Sequence, residues 1–148
     1  MTLTTAQARD AVMGLIETAW TASGAATENA PLHFANVKSD RPGEDGSSSQ
    51  AEAWGRVSVQ MVESPQSTQG RRRWLTTGIL TVQIFTPFGD GHLLGDAFAA
   101  VLLNALRGAT NSPDGVWYFD ATVNEIGQDG PWFQSNVTAS FRFQEALP

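Results

Sequence analysis

The chain has 148 residues, the length of one domain, and a domain of this size buries roughly 68–70% of its unfolded surface. Hydrophobic residues at 41% and charged residues at 16% describe a globular protein, and the lack of cysteine excludes a disulfide framework or a thiolate metal site. A formal net charge of -6 argues against a dedicated nucleic-acid binder, although an acidic wall suits a surface past which DNA slides ungripped.

Met1-Thr2-Leu3-Thr4-Thr5 has neither the basic stretch nor the apolar core of a signal peptide. No apolar run approaches the ~20 residues of a membrane span. The expectation is a chain made in the cytoplasm, with no membrane partner. Asn136-Val137-Thr138 matches a glycosylation acceptor, which carries no meaning without export.

Thr4 or Thr5 suits an N-cap, and Ala8, Val12, Leu15, Ile16, Ala19 and Trp20 then recur at helical spacing until Gly24 stops the helix. Pro31 to Val37 reads as a short edge strand. Lys38 to Gln50, rich in Gly, Ser, Pro and charge, reads as a mobile loop that extends over 38–52. Trp54 to Val62 alternates, with Val57, Val59 and Met61 on one face and Arg56, Ser58 and Gln60 on the other, as a strand covered on one side does. Glu63 to Gly70 is polar and reads as a turn region.

Trp74 to Phe85 predicts a second long strand, aligning Leu80, Val82 and Ile84. A turn from Pro87 to Gly91 then opens onto an apolar helix, Leu93–Leu106. Thr110 to Gly115 is a loop, Val116 to Ile126 a third strand and Gly127 to Pro131 a turn. Trp132 to Gln144 is the last strand, with Phe133, Val137, Ala139, Phe141 and Phe143 facing one way. Hairpin-length connections predict an α+β domain over 1–148: a largely antiparallel sheet of four to five strands with two helices packed on one face. Leu80, Val82 and Ile84 should be buried with Phe133, Val137, Phe141, Leu94, Phe98, Val101 and Leu102. One polar sheet face is left over for water or a neighbouring subunit.

Gly89-Asp90-Gly91-His92-Leu93-Leu94-Gly95 stands where a phosphate-binding turn would stand. A dinucleotide fingerprint, however, wants its third glycine where Leu94 is. The favoured reading is that Gly89 and Gly91 turn the chain while Asp90 caps the helix. No Gly-Lys-Ser/Thr phosphate loop occurs, and neither His33 nor His92 has a partner at metal-ligand spacing. Ser47, His92 and Asp120 make a triad only on paper, since there is no nucleophile elbow. The expectation is no catalytic residue, no metal and no cofactor.

The aromatic and basic residues point elsewhere. Trp20 lies on the apolar stripe of the first helix and reads as core. Trp54, Trp74 and Trp132 fall at or near strand starts, where a ring packs at a sheet edge or meets a protein partner. Arg71, Arg72 and Arg73 are either a solvated loop tip or a cluster seeking carboxylates, including those of other copies.

Two segments resemble the tail terminator (tail completion) proteins of long-tailed bacteriophages. One is Gly78-Ile79-Leu80-Thr81-Val82-Gln83-Ile84-Phe85-Thr86-Pro87-Phe88-Gly89-Asp90-Gly91 with its following helix. The other is Gly130-Pro131-Trp132-Phe133-Gln134-Ser135-Asn136-Val137 with the strand ending at Phe143. The order of elements is similar along most of the chain; the stretch between Gly24 and Ala53 lies outside the resemblance. The resemblance implies a structural, non-enzymatic virion subunit that closes into a ring, commonly a hexamer, on the last ring of the tail tube. There it would end tube polymerisation and dock the head-side connector or stopper, with genomic DNA passing through the lumen without sequence-specific binding. Arg71, Arg72, Arg73, Trp54, Trp74 and Trp132 are the candidate contacts to neighbouring subunits or tube. The alternatives are another head–tail neck component, and a small α+β ligand-binding domain or enzyme.

Overall fold

Thr4 opens the first helix, α1 (Thr5–Ala22), in a computed structural model that describes residues 2–22, 32–35, 53–89, 91–109 and 115–146. The Thr4 hydroxyl accepts from the Gln7 amide N–H at 3.2 Å, and the Gln7 side-chain oxygen accepts from the Thr4 N–H at 2.9 Å. This reciprocal capping box satisfies two N–H groups that a helix start otherwise leaves unpaired. Ala8, Val12, Ile16 and Trp20 form the buried stripe, with Leu15 and Ala19 half-buried beside it. Gly24 and the loop expected over 38–52 lie outside the described residues.

The remaining elements are β1 (Leu32–Phe34), β2 (Trp54–Glu63), β3 (Gln66–Thr68), β4 (Arg73–Pro87), α2 (Leu93–Gly108), β5 (Trp117–Asp129) and β6 (Trp132–Ala146). Among the described residues the sheet has six strands in the order β1-β2-β4-β6-β5, with β3 pairing the start of β4. All pairs are antiparallel except the short β1–β2 pair. The fold is α+β, and six strands replace the expected four to five.

Two differences account for the strand count and the strand lengths. The polar stretch expected as a turn contains β3, whose three side chains are all exposed and so leave no alternation to read. It is held by pairing with Arg73 and Trp74 and by the Ser67 and Thr68 hydroxyls donating to the carbonyls of Arg73 and Arg71. The expected turn at Gly127–Pro131 shrinks to Gly130 and Pro131, because Gly127, at φ 112°, is absorbed into a bulge of β5.

Both helices cover one sheet face, as their apolar stripes require. Val57, Val59, Leu80, Val82, Ile84, Val137, Ala139, Phe141 and Phe143 meet Val12, Ile16 and Trp20 of α1 and Phe98, Leu102 and Leu106 of α2 in one cluster. Trp20 stacks on Phe98 with ring centroids 4.3 Å apart. Three expected core members differ: Leu94 is exposed, and Val101 and Phe133 are only half-buried. Gly95, Phe98, Ala99, Leu102 and Leu106 define the buried stripe of α2, which leaves Leu94 and Val101 on its flank. Phe133 instead packs edge-on against His92 with centroids 5.1 Å apart.

Candidate functional site

The turn that suggested a phosphate site is a steric device. Gly89 and Gly91 have φ of 97° and 82°, a region open to glycine and strained for other residues. The N-cap of α2 is His92, with no side-chain cap hydrogen bond, in place of the Asp90 cap expected from sequence; Asp90 itself lies outside the described residues. β4, which feeds this turn, is antiparallel to both β2 and β6. A dinucleotide fold places its glycine turn after a strand in a parallel βαβ unit, which is not what surrounds β4.

The other polar candidates do not converge. His33 lies on β1 beside Trp54, and His92 lies at the start of α2. Asp120 occupies a bulge of β5 at φ 55°, while Ser47 lies outside the described residues. Among the described residues no three His, Asp or Glu side chains cluster as metal ligands would, and no helix is long and apolar enough to cross a membrane. A shallow depression over β3 is bounded by Gln66, Ser67, Thr68 and Gln69, too open to enclose a small molecule.

The sheet face turned away from the helices is where aromatic and cationic side chains gather. The register sets them in cross-strand rows: Trp54–Phe85–Gln134, Arg56–Gln83–Asn136–Asn124, Ser58–Thr81–Thr138–Thr122, Gln60–Ile79–Ser140–Phe119, and Thr77–Arg142–Trp117. At one end Trp54 stacks on Phe85 at 4.1 Å and meets Trp132 edge-on at 6.2 Å. All three are buried, forming a small apolar cluster separate from the main core. Toward the other end the Arg142 guanidinium lies 5.8 Å from the Trp117 ring centroid and 5.8 Å from that of Phe119.

The candidate contacts from sequence therefore fall into two groups. Trp54 and Trp132 come together. Arg71 and Arg72 are exposed in the β3–β4 turn, with Arg73 and Trp74 half-buried at the start of β4. From Arg73 to Phe85 the chain runs along β4 for about 40 Å at the rise of an extended strand. The arginines and the Trp54 cluster thus stand at opposite ends of the sheet. Sequence reasoning missed Trp117 and Phe119; the available signal was two aromatics spaced two apart around Tyr118, which is buried on the helix side.

No protein-family model matches this chain, and no curated protein sequence does. One solved structure, known only by a sequence identifier, aligns over 92% of this chain and 97% of its own at 15% identity, with a TM-score of 0.49. A likeness at that level carries nothing about function.

Proposed function

We propose that this chain is a structural subunit that rings the head-proximal end of a phage tail tube, ending tube polymerisation and docking the head-side connector. The observation that carries the reading is the one-sided helix layer, which among the described residues leaves a broad sheet face with half-exposed aromatics for protein contact. The α+β order with a strand–glycine turn–helix at β4 and α2 agrees with the tail-terminator resemblance of the sequence. A ring needs two different surfaces on each subunit, and a two-layer subunit has a sheet side and a helix side. The partners are other copies, most simply six per ring, the tail tube protein, the head-side connector or stopper, and DNA in the lumen.

Negative-stain imaging of the purified chain, alone and with tail tubes, tests this. Closed rings or caps on one tube end are the expected result. A virion reconstruction that places the chain away from the head-proximal end of the tube overturns the assignment. So does gene deletion that leaves tail length and head joining unchanged. If the chain contacts the head side alone, it is a connector or stopper instead. A thermal shift with nucleotides or metabolites would favour a ligand-binding domain.

A further inference from the structure

We infer that Glu145 and Thr76 form a latch that couples the seating of α1 to the base of the hairpin bearing Arg71, Arg72 and Arg73. The latch does not rest on the function proposed above.

The pleat decides where it sits. Phe141, Phe143 and Glu145 alternate along β6 and so share its helix-facing side, the first two fully buried and the third half-buried. Thr76, buried at 3% exposure, lies opposite Phe143 on β4. At this end of the sheet the apolar layer therefore gives way to polar groups. The start of α1 lies over them, where the Leu3 N–H donates to the Gln144 carbonyl at 2.8 Å.

Hydroxyls from three other segments run toward Glu145. Thr5, the first residue of α1, donates to Oε1 at 2.6 Å, and Thr76 of β4 donates to Oε2 at 3.1 Å. The Thr76 Oγ1 also lies 2.7 Å from the hydroxyl oxygen of Ser64, between β2 and β3. A threonine hydroxyl has one proton. That of Thr76 goes to the carboxylate, so in the second bond Ser64 is the donor. The carboxylate that ends this array stands at the positive end of the α1 dipole.

Burial makes the two ends interdependent, because a hydroxyl this far from water needs both its partners. If α1 shifts and Glu145 follows Thr5, Thr76 loses its acceptor. If Ser64 moves away, Thr76 accepts nothing and is less strongly polarised toward the carboxylate. The Pro65 carbonyl, beside Ser64, accepts from the Leu75 N–H at 2.9 Å and fixes the base of the β3–β4 hairpin. A pull on the arginine tip is therefore felt in the first turn of α1. Arg9 is a separate tie: it donates to the Val59 carbonyl of β2 at 3.1 Å and bypasses the carboxylate.

Native-state hydrogen exchange of the full chain at fixed pH tests the coupling. The Ala8 N–H, bonded to the Thr4 carbonyl, reports on α1, and the Leu75 N–H reports on the hairpin. Ser64→Ala should speed exchange at Ala8, and Thr5→Val at Leu75, each by about threefold or more, although each reporter lies at the opposite end of the latch. Ser64 and Thr5 are exposed, so both variants should fold. Thr76→Val keeps the shape and removes the shared hydroxyl. Both reporters should then speed up, and adding Ser64→Ala should change Ala8 no further. Amides in the middle of β4 and β6 should keep their wild-type rates, which separates release of the latch from loss of the fold. End variants that alter only their own end overturn the coupling. So does Ser64→Ala still acting on Ala8 in the Thr76→Val background, or acceleration shared equally by the mid-sheet amides.

Discussion

Gly78 and Phe141 sit directly opposite each other on β4 and β6, and their pairing illustrates how tightly the core is drawn. A Cβ at Gly78 would lie 2.4 Å from Phe141 Cζ and 2.8 Å from the Gln60 carbonyl oxygen. The glycine is therefore the seat of the Phe141 ring, which is fully buried between the sheet and the helices. Phe141→Ala should cost about 3–5 kcal/mol, read from the urea midpoint, because the vacated volume cannot be refilled by neighbours held in register. Gly78→Ala should cost about 1–3 kcal/mol, since a backbone oxygen as well as a ring would have to move. Repeating Gly78→Ala in a Phe141→Leu background should lower that cost. An unchanged cost would place the whole clash on Gln60. Gly55 plays the same part for Trp20, whose Cη2 would stand 2.8 Å from an added Cβ.

At the level of elements, the legible parts of the chain were those with one buried face. α1, β2, β4, α2 and β6 each alternate or repeat strongly, and their existence and their common core followed from period alone. The helix start was legible only as Thr4 or Thr5, and the structure settles on Thr4 through its reciprocal bonds with Gln7. Thr4→Ala should then cost about 1 kcal/mol, checked by thermal unfolding, with Gln7→Ala costing less because the hydroxyl still caps. A further tie depends on sequence distance and could not be read. The Thr5 hydroxyl donates to Glu145 at 2.6 Å, and the same carboxylate accepts from Thr76 at 3.1 Å. What stayed hidden was structure made by pairing without burial. β3 shows no alternation, and the bulge between Glu125 and Gly127 carries β5 into the stretch that reads as a turn. The bulge between Phe119 and Thr122 also keeps Trp117 and Phe119 on the same face as Thr122 and Asn124. A one-residue slip would have sent them inward. The Arg142 site was invisible for that reason, since its two rings reach the outer face only through the register.

On the scale of the whole molecule, the separation of Arg71–Arg73 from the Trp54 cluster decides what each can do. They stand at opposite ends of β4, so they cannot belong to one compact contact, and a ring subunit would use them toward different neighbours. Trp54, Phe85 and Trp132 are already buried against one another, which makes them a support for that end of the sheet. Among the described residues the arginines at the other end are tethered through their backbone: the carbonyls of Arg71 and Arg73 accept from Thr68 and Ser67. Replacing all three side chains by Glu keeps those acceptors; the exposed Arg71 and Arg72 changes should each cost within about 0.5 kcal/mol and the half-buried Arg73 somewhat more, so the melting temperature should move only slightly. Six charge units are nevertheless inverted at one tip of an already acidic chain, from three cations to three anions. Contacts with carboxylates of a neighbour or of the tube would turn repulsive, and attachment to tail tubes should fall sharply in a pelleting assay. If the triple variant still caps tubes and yields normal particles, the tip is solvated and the attachment surface lies on the sheet face or at the other end.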